Sequence, residues 1–382
     1  MKIKPKVLIC IDWYYPSYKA GGPIQSIKNF VLAMQHHLEI YVFTSNCDFD
    51  SVNLNCTPIN QWTTGIANEQ VYYCSNDVYA KSLLKGIITT VNPSVIYINS
   101  MFSVKYAINP LFAASSINYT GSIILAPRGM LQLGALQFKK LKKVIFLKAL
   151  QLTKITSNIH FQATDAQEVD DIKKNIKYYK NITQLTNFAI TPAQYITPIV
   201  KDVGTLKLIF ISRIVPKKNL LSLLQVLKQL QVAGSITLSI YGDVGDALYW
   251  QQCKQLMLLM PHNIVVTYYG AINNNDVAAT IVQHHLFVLP TLGENFGHAI
   301  FEAFANARPV LISTHTPWRN LPQLQAGWDV NITTTQPMHN VITTMLTMHQ
   351  SAYNTLCQGS LKVASTYSNN AHLQLEYLTL FN

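Results

Sequence analysis

The chain has 382 residues, 49% of them hydrophobic, which is enough apolar material for two domains of ordinary size and excludes a disordered or fibrous protein. Lys and Arg outnumber Asp and Glu by 29 to 18, a formal charge of +11, yet charged residues are only 12% of the total and are outnumbered by the 53 Asn and Gln. The positive excess therefore sits in patches and points to an anionic partner: a phosphorylated substrate, a membrane surface or nucleic acid. Six cysteines, at 10, 47, 56, 74, 253 and 357, show neither CxxC nor metal-ligand spacing, as expected of reduced thiols in a cytoplasmic protein. The apolar run 7–11 that follows Lys2, Lys4 and Lys6 is too short for a signal peptide, and no stretch approaches the roughly eighteen apolar residues of a membrane span.

Short β-branched runs alternate with amphipathic segments along the chain, the pattern of parallel sheets flanked by helices. The first half reads as strand 7–11, helix 24–37, strands 39–44 and 71–74, helix 79–91, strand 94–99, helix 105–118, strand 122–126, helix 136–156, strand 158–163 and helix 165–175. Segment 181–204 has Pro192, Pro198 and Gly204 and little periodicity, which places a domain boundary near residue 200. The alternation restarts with strand 207–211, helix 219–232, strand 235–241, helix 246–260, strand 263–269, helix 273–283, strand 285–289, helix 297–306 and strand 309–312. Two doubly wound α/β domains result, 1–200 and 201–360, with a terminal segment 361–382. Ligands of such sheets bind beyond the carboxyl ends of the strands, so the chemistry is expected in those loops, across a cleft between the domains.

The most informative loop leaves strand 285–289: Pro290-Thr-Leu-Gly-Glu294-Asn295-Phe296-Gly297-His298, with Glu302 inside the next helix. Two carboxylates eight residues apart flank a helix start whose free amides can receive an anion or a sugar oxygen. The loop after strand 207–211, Arg213-Ile-Val-Pro-Lys217-Lys218-Asn219, sets cations at another helix start, where two of them, fixed in place, can neutralise a diphosphate. In the first half, Tyr14-Tyr-Pro-Ser-Tyr-Lys-Ala-Gly21-Gly22-Pro23 joins the opening strand to its helix, and its paired glycines admit a ligand close to the backbone. No GxGxxG occurs, which removes the main support for a dinucleotide oxidoreductase.

Taken together, the E-x7-E pattern of Glu294 and Glu302 and the following Ala303-Phe-Ala-Asn-Ala-Arg-Pro-Val-Leu311 resemble the donor-sugar motif of retaining glycosyltransferases of family GT4, which have the GT-B fold. The resemblance implies that Glu294 with Asn295, Phe296 and Gly297 holds hexose hydroxyls and that Glu302 holds the nucleotide ribose. It makes Arg213 and Lys218 a metal-free diphosphate clamp and aligns Gly21 and Gly22 with a loop that meets the donor phosphate. Many family members carry a histidine after a first-domain strand, where this chain has Asn99-Ser100; Asn99 cannot take a proton near neutral pH, so a front-face transfer would use the departing phosphate oxygen as base. Asn99 and Arg128 are the acceptor-side candidates. The implied function is transfer of a hexose from a nucleotide-diphospho-sugar, without cofactor, to a saccharide or lipid-linked saccharide in capsule, exopolysaccharide or O-antigen synthesis. A nucleotide-sugar 2-epimerase and a non-catalytic membrane-docking subunit are the alternatives.

Other constellations carry less. Asp48-Phe49-Asp50 has the DxD form of metal-dependent transferases without their context, and His284-His285 points to opposite faces of a strand, so no metal is expected. Trp318 could stack on a sugar. The run from Phe138 and Lys139 through Lys140, Lys142, Lys143, Ile145, Phe146 and Lys148 to Leu150 mixes lysines with apolar residues at helical spacing, as in helices that lie on anionic membrane. A cytoplasmic enzyme, peripheral on the inner face of the cell membrane, is the expected setting. No zinc-finger, helix-turn-helix or RNA-stacking signature points to nucleic acid.

Overall fold

The computed structural model describes residues 4–54, 58–137, 140–192, 196–368 and 371–382, so Cys56, Phe138 and Lys139 lie outside the described residues. The chain forms two compact units, Met1–Phe188 with Asn370–Asn382, and Ala189–Asn369. The division thus falls before residue 200, and the final helix returns to the first unit.

The first unit runs β1 (Lys6–Cys10), α1 (Gly22–Met34), β2 (Glu39–Ser45), β3 (Trp62–Thr64), β4 (Gln70–Cys74), α2 (Lys81–Val91), β5 (Val95–Ile98), a π-helical turn (Val104–Ile108), α3 (Asn109–Ser116), β6 (Ser122–Leu125), α4 (Leu133–Gln137), α5 (Lys140–Thr153), β7 (Ile159–Ala163), α6 (Ala166–Asn175) and β8 (Asn181–Gln184). Its sheet has the order β3-β4-β2-β1-β5-β6-β7-β8, parallel except for the β3–β4 pair. Alternation along β1 serves both faces: Leu8 and Cys10 join one apolar layer, Val7 and Ile9 the other. Phe30 of α1 packs against Tyr97, Phe188 and, from the C-terminal helix Ala371–Phe381, Tyr377 and Phe381. Leu373, Tyr377 and Phe381, four residues apart, give that helix one buried stripe.

Several elements differ from the sequence reading. The helix expected over 105–118 is broken because Pro110 lacks an amide hydrogen; ahead of it the ladder widens, and Asn109 N–H bonds Val104 O. The helix expected over 136–156 is two, α4 and α5. β3 and β8, of three and four residues, are edge strands too short to show a period, and β8 replaces the start of the expected linker.

The second unit runs β9 (Thr205–Ile211), a 3-10 turn (Pro216–Lys218), α7 (Leu220–Gln229), β10 (Ser235–Tyr241), α8 (Ala247–Met257), β11 (Ile264–Tyr268), α9 (Asn274–Ile281), β12 (Leu286–Leu289), α10 (His298–Ala305), β13 (Val310–Ser313), β14 (Gly327–Val330), α11 (Gln336–Thr347) and α12 (Gln350–Ser368). The parallel sheet has the order β11-β10-β9-β12-β13-β14, with the reversal of direction at β9 and β12. Leu220, Leu223, Leu224 and Leu227 form the buried face of α7, and Asp246 caps α8 by accepting from Tyr249 N–H at 2.9 Å. At Gly242 the backbone comes so near β9 that a Cβ would lie 1.9 Å from Ser212 O, so only glycine closes this strand end.

His284 and His285 are structural. His284 bonds Thr280 O and Ser239 Oγ, each at 2.9 Å. In His285, Nδ1 accepts from Lys207 N–H and Nε2 meets Val200 O, both at 2.9 Å, so the neutral ring is fully used and a second proton has no place. Burial pushes the His285 pKa down to about 4, against the bond to Val200 O and with help from Lys201, Lys207 and Arg308. Since the folded value lies below the usual value of about 6.5, this contribution to stability is complete above about pH 6.5 and is lost as pH falls toward about 4, by about 3 kcal/mol in total. His284 shifts the same way through burial. Urea unfolding of the wild type should therefore weaken steeply from pH 7 to 4.5, and His285→Asn should flatten that slope; equal slopes would refute the assignment.

Candidate functional site

In the second unit four loops leave the carboxyl ends of adjacent strands and are bonded in sequence. Ile214 N–H bonds Asp243 O at 2.8 Å, joining the β9 loop to the β10 loop. Leu292 N–H and Thr291 Oγ1 both reach Lys217 O, at 2.8 and 3.2 Å, joining the β12 loop to the β9 loop. Glu294 N–H bonds His315 O at 3.0 Å, which adds the β13 loop.

On this crest the structure brings Arg213, Lys218 and Glu294 together. Lys218 Nζ is ion-paired with Glu294 Oε1, both side chains being mostly buried. Arg213 is half-buried; burial lowers its pKa, while Glu294 and Asp243 pull it back up. A cation with part of its water removed gains more from a bound anion than one in bulk solvent. Asn295 is half-buried in the same loop, and Glu302 sits half-buried inside α10. Gly297, with φ 78°, is the N-cap of α10, where a Cβ would press to 2.8 Å from Ile300 Cδ1.

Trp318 is no sugar platform. It is only 9% exposed, its Nε1–H donates to Phe296 O at 2.7 Å, and its ring packs on Phe296, Phe301, Phe304 and Tyr367. Its effect is to hold the Glu294–Gly297 loop from beneath. A pair missed in the sequence lies at the β10 and β11 ends: Tyr241 and Tyr269 stack at 4.9 Å and 12°, with Tyr269 largely exposed. The signal was present, an aromatic residue closing each of two adjacent strands.

The first unit has its own polar crest. Gly21 is the N-cap of α1 and Gly22 its first residue. Asp48 is buried and accepts from Tyr18 N–H and Lys19 N–H at 3.0 and 3.2 Å, while Asp50 pairs with Lys19, so both carboxylates of the DxD sequence brace the loop leading to Gly21. Arg128 is half-buried and is held by side chains of its own unit. Its Nε and Nη2 donate to Asn99 Oδ1 at 3.1 and 2.7 Å, Nη2 also to Tyr97 Oη at 2.6 Å, and Nη1 to Asn187 Oδ1. Asn99 is 2% exposed and its Nδ2 has no partner among the described residues. Asp12, after β1, was overlooked: Ser103 Oγ donates to it at 2.6 Å, and burial raises its pKa against the bonds from Ser103 and Ser100.

In α5, Leu147 and Leu150 are buried, Phe146 packs on Phe102 at 5.2 Å, and Lys143 donates to Ala135 O at 2.6 Å. Leu141, Ile145 and Leu152 are 75, 59 and 85% exposed, on the face that carries Lys148. Among the described residues no helix is long and apolar enough to cross a membrane.

Comparison with known proteins bears on both the crest and the fold. Residues 194–321, which contain Arg213, Lys218, Glu294 and Glu302, match the family model described as glycosyl transferases group 1. No curated protein matches. Among solved structures, sucrose-phosphate synthase from Thermosynechococcus elongatus is 15% identical, with 99% of this chain and 98% of that chain covered at a TM-score of 0.71. HepE from Anabaena, in complex with UDP and glucose, is 13% identical over 98% and 99% at 0.70. An α,α-trehalose-phosphate synthase (UDP-forming) from Burkholderia xenovorans, in complex with glucose-6-phosphate, is 10% identical over 99% and 100% at 0.67. Residues 194–321 are thus a glycosyl transferases group 1 domain, in a two-domain α/β chain with the GT-B fold.

Proposed function

We propose that the protein is a retaining hexosyltransferase of the GT4 type, taking a nucleoside-diphospho-sugar as donor and a saccharide or lipid-linked saccharide of bacterial surface-polysaccharide synthesis as acceptor. The observation that carries this reading is the Lys218–Glu294 ion pair beside Arg213, on a strand-end crest that lies within the group 1 match. HepE was solved with UDP-glucose, and a trehalose-6-phosphate synthase of the same fold was studied for transfer with retention, both in line with this chemistry.

In this scheme Arg213 and Lys218 take the diphosphate. Lys218 exchanges Glu294 for a phosphate oxygen, which frees the Glu294 carboxylate to accept hexose hydroxyls beside Asn295 and the amides of Phe296 and Gly297. Glu302 accepts from the ribose, and the exposed face of Tyr269 receives the base. The bond from the anomeric carbon to the phosphate oxygen breaks while the acceptor oxygen bonds on the same face. Its proton passes to the departing phosphate, whose charge the two cations stabilise. No protein base is needed, as fits an asparagine at position 99. In the first unit, Gly21 and Gly22 are candidates for phosphate contact and Asn99 for the acceptor, through its unpartnered amide.

Activity should survive EDTA, because Arg213 and Lys218 supply the compensation that a metal gives elsewhere; loss on chelation with recovery in manganese would reject this role. Glu302→Gln should weaken UDP or GDP binding about tenfold or more, the scale of a hydrogen bond to a charged group. Glu294→Gln releases Lys218, so free diphosphate should bind as well as before or tighter while turnover of the sugar nucleotide collapses. Equal weakening of free diphosphate by both variants would contradict the division of roles. Binding to phosphatidylglycerol vesicles should fall with added salt and on changing Lys140, Lys142 and Lys148 to Gln, each lysine being worth about 1 kcal/mol. Vesicle binding unchanged in that triple variant would remove α5 from membrane docking.

A further inference from the structure

At the edge of the first sheet opposite the crest, a pocket of about 600 Å³ opens at the amino ends of β6 and β7, bordered by α3 and the end of α5. Lys154, His160 and Lys180 line it together with Thr120 and Ser122, and no carboxylate residue does. We propose that this pocket binds a phosphate ester, its phosphoryl oxygens held by Lys154, Lys180 and His160.

Charge placement is the first support. Residues 139–180 hold ten lysines against four carboxylates, six of the chain's eleven excess positive charges. Three of the four carboxylates are spent inside the fold. Glu168 accepts from Gly129 N–H at 2.6 Å and from Thr164 N–H at 2.8 Å, Asp165 caps α6 by accepting from Glu168 N–H at 2.7 Å, and Asp171 is buried. None of the ion pairs among the described residues includes Lys154 or Lys180. Lys154 instead lies 5.5 Å from the centre of the Tyr178 ring. The pocket therefore presents positive potential with no internal counter-ion.

His160 is the second. Its Nε2 meets Thr183 Oγ1 at 2.7 Å, which fixes the ring at the pocket wall. Burial, and after it the Lys180 charge, lower its pKa. A phosphate ester brings a charge of about −1 to −2 and strong acceptor oxygens, which would satisfy all three groups. The size suits a phosphorylated sugar or polyol, and Phe112, exposed in the lining, allows the ester to be a lipid headgroup as well.

Titration calorimetry with glycerol 3-phosphate, and co-sedimentation with phosphatidylcholine vesicles with and without phosphatidic acid, separate the two sources at one ionic strength set with KCl. Saturable binding of glycerol 3-phosphate supports a soluble ester; binding confined to phosphatidic acid vesicles supports a headgroup. In either case Lys154→Gln/Lys180→Gln should weaken binding about tenfold or more. The triple Gln variant at Lys140, Lys142 and Lys148 should leave glycerol 3-phosphate binding unchanged. Both lysines of the double variant are exposed, and an unchanged thermal midpoint and unchanged UDP binding would confirm its fold. Absence of both binding modes in the wild type, or wild-type affinity in the folded double variant, would overturn the proposal.

Discussion

The ion pair between Lys218 and Glu294 joins loops that are 76 residues apart in sequence, and the organisation of the second unit follows from the demands it makes. A charged pair with most of its water removed is favourable only when its geometry is fixed. Here the fixing is done by bonds from Thr291 and Leu292 to Lys217 O, and by Trp318, whose indole supports Phe296 from below. The parallel sheet delivers the loops of β9, β12 and β13 to one edge, so side chains from distant sequence segments meet without any long connection. Pairing Lys218 with Glu294 also holds both charges in place at the strand ends.

The first unit handles polar groups in another way. Arg128, Asn99, Tyr97, Gln162 and Tyr377 form a chain of side-chain bonds within its apolar layer, reaching from the β5 and β6 loops to the C-terminal helix. Such a network is costly unless nearly every member is satisfied. Tyr377 Oη accepts from Gln162 and donates to Thr186 O at 3.0 Å, so the returning helix completes the network as well as covering Phe30. That dual duty explains why a terminal helix with a single buried stripe belongs to this unit.

Legibility in the sequence varied with the physics of each element. The buried parallel strands were plain, because runs such as Leu286–Leu289 and Val95–Ile98 carry their own signal, and the crest motifs stood at strand ends as expected. Edge strands such as β8, and the helices α11 and α12, were not read, since their amphipathicity is diluted by threonine, serine and glutamine. The roles of Arg128 and Trp318 were hidden for a different reason. An arginine or a tryptophan in a strand-end loop suggests a ligand, and only packing decides whether it faces inward. Asp12 gave no local pattern at all; its significance rests on Ser103, which is 91 residues away in sequence.

Composition places a last constraint on these assignments. With charged residues at 12% and amides in excess, most of the surface attracts ions weakly, so local clusters dominate the electrostatics of each unit. In the second unit Arg213 and Lys218 stand close to carboxylates, which offset part of their charge. In the segment 139–180 the lysines have few carboxylate partners, and screening limits their reach to about 8–10 Å at physiological salt. A cluster of that kind acts at contact distance, on an anion already touching it. In the pocket beside β7 the absence of carboxylates counts for as much in the local potential as the presence of Lys154 and Lys180.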